Sequence, residues 1–222
     1  MKDAVKESNT ATRIIGAAEA LFAEQGFAET TMRQITARAE VNLAAVNYHY
    51  GSKSGLIEAV ARRFMDPLCQ RLESMLAERA MGEGESQAAL DELIEMLMRA
   101  LLLVEDENPH ALALFMRLLD LAYTPDQGEL RQFLIDGYGQ RVTPYLELLQ
   151  ADSAPMSKDE FFWRLHFLLG ALIFTLSNQS TLSSLRDGDA GEPDIERILH
   201  RMIPVLVAGF QARGEVSWFS RV

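Results

Sequence analysis

Asn42, Asn47, Tyr48, His49 and Lys53 gather two amides, a phenol, an imidazole and an ammonium into one short stretch of a 222-residue chain. Each can donate or accept hydrogen bonds, and none has a sequence partner that would make it a nucleophile. Patterns for bond-making chemistry elsewhere are poor. Glu107-Asn-Pro-His110 has the Glu-x-x-His spacing of a di-iron helix, but Pro109 breaks the helix and no second copy exists. Gly51-Ser-Lys-Ser-Gly55 is neither a phosphate-binding loop nor a nucleophile elbow. The histidines at 49, 110, 166 and 200 lack metal-ligand spacing. The sequence therefore predicts no enzyme, no metal and no cofactor; its chemistry is that of recognition.

Those groups need a frame. From Thr31 to Lys53 the sequence reads as two short helices joined by a tight turn, with a third starting at once. Thr31 can N-cap the first, its hydroxyl accepting from a free backbone N–H. Ile35 and Ala39, four residues apart, form its apolar face. It stops near Ala39-Glu40, and Val41 plugs the corner. Asn42 can cap a second helix of about seven residues, ending near His49. Ala45 and Val46 are small enough for close packing, while Asn42, Asn47, Tyr48 and His49 offer donors and acceptors. A helix that short does not hold itself together in water, so neighbours must brace it and its outward polar groups need a reason. Helix-turn-helix binding of DNA supplies one: the second helix lies in the major groove and reads base edges.

Three runs carry a family resemblance: Ala18-Glu-Ala-Leu-Phe-Ala-Glu-Gln-Gly-Phe27, then Thr30-Thr31-Met32-Arg33-Gln34-Ile35, then Asn47-Tyr-His-Tyr-Gly-Ser-Lys53. In this order and spacing the chain resembles the TetR family of one-component bacterial transcription regulators. Within that family, Val41 to His49 is most similar to a subgroup that responds to fatty acids or acyl-CoA. The resemblance implies base-edge contacts at Asn42, Leu43, Ala44, Ala45 and Asn47. It implies phosphate contacts at Tyr48, His49 and Lys53, with Arg33 projecting toward DNA from the preceding helix. The chemistry fits, since Asn can pair bidentately with adenine and Ala or Leu can touch a thymine methyl. Lys53 stands at a helix N-terminus, where backbone N–H groups also favour phosphate. Tyr50 is expected to pack inside. The partners implied are double-stranded DNA, a second copy of the chain and an apolar small-molecule effector whose binding ends repression. At Glu40 the sequence departs from the family, where glycine is usual in the turn; that position wants a positive φ, which is costly for other residues.

Composition is that of a soluble globular protein, 48% apolar and 24% charged. The single cysteine, Cys69, excludes an intrachain disulfide framework and fits a reducing cytosol, so a cytoplasmic location is expected. No signal peptide is expected, because the first twenty residues are charged and lack an apolar core. The net charge of −11 is unevenly spread. Residues 1–65 hold eight Lys/Arg against seven Asp/Glu, and the remainder 13 against 25. A weakly basic head on an acidic body can bind DNA through a local patch, with the body repelling phosphates and orienting the head.

No strand alternation or internal repeat is present, so the fold class expected is all-α: an N-terminal three-helix helix-turn-helix DNA-binding domain (1–53) followed by a helical ligand-binding and dimerisation domain (54–222). A loose tail over 1–8 precedes a helix from about Thr10 to Gln25, stopped by Gly26. A helix from about 52 to 79, capped by Ser52, connects the domains, with Pro67 predicting a kink or break. Body helices are expected over about 86–104, 110–123, 129–150 (bent or broken by Gly137, Gly139 and Pro144), 158–182 and 194–212. Loops are expected at 81–84, 105–109 and 183–192, and an apolar tail at Trp218-Phe219. The span from Leu165 to Leu176 is too short to cross a bilayer and reads as a helix buried against protein. That helix and the last one are the expected dimer surface, with Gly170, Ala171, Ser177 and Gly209 allowing close approach. The body's Met and Phe side chains suit a pocket for a flexible apolar chain, and the set chosen for it is Met98, Leu102, Phe115 and Phe174 with polar Arg99, Arg117, Tyr138, His166 and Asn178. Arg117 is the expected carboxylate partner.

Overall fold

Ile14, Ala18, Phe22, Ile35, Val46, Leu56 and Val60 are completely shielded from solvent, and they define the centre of the N-terminal head. The computed structural model describes residues 2–82, 89–105, 111–185 and 194–213. Helix α1 (Lys2–Glu29) supplies the first three of those residues, and Gly26 interrupts it at φ 86, after which Phe27 folds back onto Phe22 with ring centroids 4.6 Å apart. The helix begins at Lys2, so the segment expected to be a loose tail is helical. Helices α2 (Met32–Ala39) and α3 (Leu43–Tyr50) follow, and α4 (Lys53–Gly82) leaves the head for the body. Ser52 caps α4: its Oγ accepts from Gly55 N at 3.1 Å.

The body comprises α5 (Leu90–Glu105), α6 (Ala111–Ala122), α7 (Gly128–Asp152), α8 (Lys158–Ser177), α9 (Gln179–Ser184) and α10 (Ile195–Gln211). α4 packs against α1 and α3 at its start and against α5, α6 and α7 beyond. α5 lies on α10, and α6 on α8. The lone Cys69, on α4, is buried, and burial pushes its thiol up to about 11.

Three helix boundaries differ from expectation: the breaks allowed for at Pro67 and across 137–144 are absent, and one helix ends early. Pro67 lies inside an uninterrupted α4, and Gly137, Gly139 and Pro144 inside an uninterrupted α7. A proline inside a helix forfeits one hydrogen bond, about 3 kcal/mol; Pro67 and Pro144 both sit on the solvent face, while Phe64, Leu68 and Leu72 on α4 and Tyr138, Tyr145 and Leu149 on α7 are buried on either side of them. Helix packing therefore outweighs the local preference. Conversely, the long helix expected to reach residue 182 stops at Ser177, because Asn178 Nδ2 donates to Phe174 O at 2.8 Å and its backbone turns to φ −116, ψ 18.

α8 also departs from the fully buried helix expected. Arg164, Leu168, Leu172 and Leu176 form one inward stripe, while Trp163, Phe167, Gly170 and Phe174 face out. By length and composition it is long and apolar enough to cross a membrane, the one such helix among the described residues, and 28% of that window is buried. The expected features at 83–84, 105–109 and 186–192, the Glu107/His110 pair and Trp218-Phe219 lie outside the described residues or, at Glu105, outside the described side chains.

Candidate nucleic-acid interface

Local caps build the two short helices. Thr31 Oγ1 accepts from Gln34 N at 3.3 Å, and Gln34 Oε1 accepts from Thr31 N at 2.7 Å, a reciprocal capping box on α2. α2 ends at Glu40, whose φ of 51 turns the chain left-handed, as the family resemblance implied for that position. Arg13, from α1, donates to the carbonyls of Ala39 and Glu40 and reaches the Glu40 carboxylate at 3.4 Å. It thereby ties the turn to the first helix. Asn42 then caps α3, its Oδ1 accepting from Ala45 N at 2.8 Å.

Val46 is fully buried and roots α3 in the head; Asn42, Leu43, Ala44, Asn47 and Tyr48 are exposed, Tyr48 to 75%. Arg33 is exposed on α2. Four side chains sit differently from a simple outward row. Asn42 has one lone pair of its carbonyl oxygen committed to the cap, leaving its N–H donors and the second lone pair. Ala45 is half-buried and packs on the core. His49 is half-buried, its ring edge-on to Tyr48 at 5.1 Å. Lys53 is half-buried, donates from Nζ to Ala28 O at 3.3 Å, and burial lowers its pKa. Tyr50 packs inward with its hydroxyl donating to Ala11 O at 2.9 Å, and burial raises its pKa.

α2, α3 and α4 have no acidic residue in their first turns; in the body α6 and α9 share this, whereas α5, α7, α8 and α10 carry one or more. An acidic first turn neutralises the positive end of a helix. In the head, the N-termini of α2, α3 and α4 keep their affinity for anions.

The side chains chosen for one effector pocket separate into three places. Arg117, His166, Phe174 and Asn178 line a groove of about 500 Å³ between α6 and α8, with Tyr123 and Ser177. Met98, Arg99 and Leu102 line another of about 470 Å³ between α5 and α10. Phe115 and Tyr138 line neither. Phe115 is buried in the core against Phe64, 5.4 Å between centroids, and Tyr138 donates its hydroxyl to Asp66 at 3.0 Å. Burial and that carboxylate push the Tyr138 phenol up to about 12. A core stripe and a pocket lining have the same helical period, so the pattern alone could not separate them.

Against known proteins, residues 14–60 match the description "Bacterial regulatory proteins, tetR family", and residues 95–209, just over half of the chain, match "Tetracyclin repressor-like, C-terminal domain". The chain belongs to the TetR family. Among curated relatives, the transcriptional repressor KstR2 of Rhodococcus jostii is 26% identical over 114 residues, 50% of this chain and 56% of that protein. The chain spans about half the length of the curated relatives it matches. Among solved structures, the SmeT–triclosan complex has a TM-score of 0.60 at 21% identity, covering 94% of this chain and 95% of that one. The fatty acid degradation regulator FadR from Bacillus halodurans has a TM-score of 0.60 at 16% identity, covering 92% and 97%.

The TetR match gives the two halves their names: an N-terminal helix-turn-helix domain followed by a helical ligand-binding domain. Within the TetR head, sequence reasoning missed Arg13. Its bond to Ala39 spans 26 residues and leaves no local signature. The missing first-turn acids, by contrast, are readable in the sequence once the helix starts are placed.

Proposed function

We propose that the chain is a homodimeric DNA-binding transcriptional repressor, acting in the cytoplasm, that leaves a pseudo-palindromic operator when an apolar effector such as a long-chain fatty acid or acyl-CoA binds its body. Residues 1–53 would hold DNA and 54–222 the effector and the partner copy. One observation carries the DNA reading: α3 buries Val46 and turns Asn47 and Tyr48 outward, in a head where the first turns of α2, α3 and α4 hold no acidic residue.

Within that reading the roles divide by what each group has free. Asn47 keeps both amide functions and is the candidate for bidentate pairing with adenine. Asn42, with its oxygen holding the cap, offers chiefly its N–H donors. Leu43 and Ala44 offer apolar contacts to thymine methyls, and Ala45 a partial one. Tyr48, His49, Arg33 and Lys53 contact phosphate, Lys53 by giving up the Ala28 carbonyl.

A second copy would cover the outward aromatic face of α8 away from the α6–α8 groove, where Trp163 is 51% and Phe167 67% exposed, together with Val205 on α10, 70% exposed. Exposed apolar surface of that extent marks an interface, and a two-fold pair of heads reads two half-sites. FadR, named for fatty acid degradation, supports an acyl effector. A drug-like effector is the second reading, supported by the SmeT–triclosan complex and by the aromatic lining of the α6–α8 groove.

Selection of bound fragments from genomic DNA, followed by band shifts with and without long-chain acyl compounds, tests the proposal. Binding should fall steeply with salt, and Arg33→Ala should remove about one phosphate contact from the salt slope. Asn47→Ala should relax sequence preference instead. Failure of every DNA fragment to bind, with effector binding intact, would move the reading to an apolar-ligand carrier.

A further inference from the structure

Arg117 is held at the meeting point of three elements. It leaves α6, donates from Nη1 to Ala23 O on α1 at 3.1 Å, and from Nη2 to Ser177 O, the last residue of α8, at 3.4 Å. Both acceptors lie near the C-terminal ends of helical runs, the negative poles of their dipoles. Among the described residues no carboxylate pairs with this guanidinium, which is exposed and lines the groove between α6 and α8. Beside it, Ser177 Oγ is buried and has no hydrogen-bond partner. A buried hydroxyl without a partner costs about 1–3 kcal/mol, so something of matching polarity belongs there. The rest of the groove is amphipathic, with Leu169, Ile173 and Phe174 as its apolar wall and Tyr123 edge-on to His166 at 5.9 Å. Asp120 lies in the same groove one turn along α6, exposed to solvent.

We propose that this groove is an effector site for an amphipathic carboxylic acid, and that Arg117 is the switch the acid operates. The acid group sits on the guanidinium, the Ser177 hydroxyl rotates toward the groove to donate to it, and the hydrocarbon lies along Leu169, Ile173 and Phe174. A carboxylate is a stronger partner for a guanidinium than two neutral carbonyls. It draws Arg117 off Ala23 and so releases the end of α1, and with it the helix-turn-helix, from α6. The volume suits a single small amphiphile, which lies in the pocket range of about 300–1,000 Å³, and favours the free acid over a thioester, which has no carboxylate. This inference rests on the chain being a ligand-responsive DNA-binding regulator, and it can fail while that reading stands.

The test uses the full chain with dodecanoate, methyl dodecanoate and dodecylamine, measured by calorimetry and by hydrogen exchange of the amides over 24–30. Dodecanoate should bind about tenfold or more tightly than its methyl ester, and should speed exchange at the end of α1. Arg117→Met should erase the preference for acid over ester and show fast exchange with no acid added; Arg117→Lys should keep part of the preference. Ser177→Ala should weaken dodecanoate alone. Equal binding of acid and ester by the unaltered chain would overturn the proposal, as would exchange at α1 that ignores the acid. Preferential binding of dodecylamine, lost in Asp120→Asn, would assign the groove to cations and overturn it too. Band shifts run in parallel separate the two readings: operator binding that survives while acid preference fails removes the switch and leaves the regulator.

Discussion

Gly55, at the start of α4, lies so close to Tyr50 that a Cβ built on it would stand 2.2 Å from the Tyr50 carbonyl oxygen. That oxygen belongs to the last residue of α3 and also accepts from Ser52 N at 2.7 Å, so it cannot rotate away. The position therefore fixes the angle between the outward helix and the rod that carries it. Gly55→Ala should destabilise the chain by about 1–3 kcal/mol, as other overpacked sites do. It should also weaken operator binding more than the lost stability explains, with melting temperature and band shift measured side by side. A variant of unchanged stability would show that the two helices can part without strain.

Glu40 sets two opposing effects against each other. Its left-handed backbone costs a non-glycine residue about 1–2 kcal/mol, while its exposed pair with Arg13 at 3.4 Å contributes at most about 1 kcal/mol. Strain is the larger. Glu40→Gly should therefore melt at the same temperature as the parent or higher. Glu40→Ala keeps the strain and loses the pair, and should melt lower than both.

The head was largely legible before any coordinates because caps act over three or four residues. Thr31 with Gln34, Asn42 with Ala45, and Gly26 each announce their helix ends in adjacent sequence. Interactions across the fold left no such trace. Arg13 with Ala39, Arg117 with Ala23 and Tyr138 with Asp66 join residues 26, 94 and 72 positions apart. The prolines misled for a related reason. Their local penalty is visible in sequence, and the packing that offsets it in α4 and α7 is not. Asn178 is the reverse case, a short polar side chain that bonds its own helix and stops it inside an apolar run.

α4 is fastened to α7 by Arg141, which bonds Glu73 through two nitrogens at 2.7 and 3.0 Å and reaches Asp66 at 3.4 Å. Those hydrogen bonds hold the Glu73 carboxyl below the usual carboxylate range. A carboxyl with a depressed folded pKa stabilises above its unfolded value, near about pH 4.3, and loses that stabilisation as pH falls through the folded value. Glu73 is largely solvated, so the effect is under about 1 kcal/mol. The melting difference between the parent and Glu73→Gln should be constant near neutrality and shrink progressively as pH falls below about 4.3. A difference that grows in acid would contradict the assignment.

Arg164 is the buried cation of the body, with its guanidinium on Glu160 at 2.7 Å and on the carbonyls of Gly209, Phe210 and Ala212 at the end of α10. Arg164→Met keeps the bulk and strands those carbonyls, a loss of about 2 kcal/mol or more. Because α8 and α10 carry the proposed partner face, the same variant should shift mass measured by light scattering from dimer toward monomer. A stable variant that stays dimeric would place the partner contact elsewhere.

The concealment of Cys69 has a practical corollary. With its thiol pushed up to about 11 inside α4, and no other cysteine in the chain, the sulfhydryl is inert to maleimides at neutral pH. A cysteine introduced at Ala44 would then be the sole attachment point for a spin label or dye. Two copies so tagged would serve as a molecular ruler across the assembly, reading out how far the probes separate as an amphiphile is titrated in.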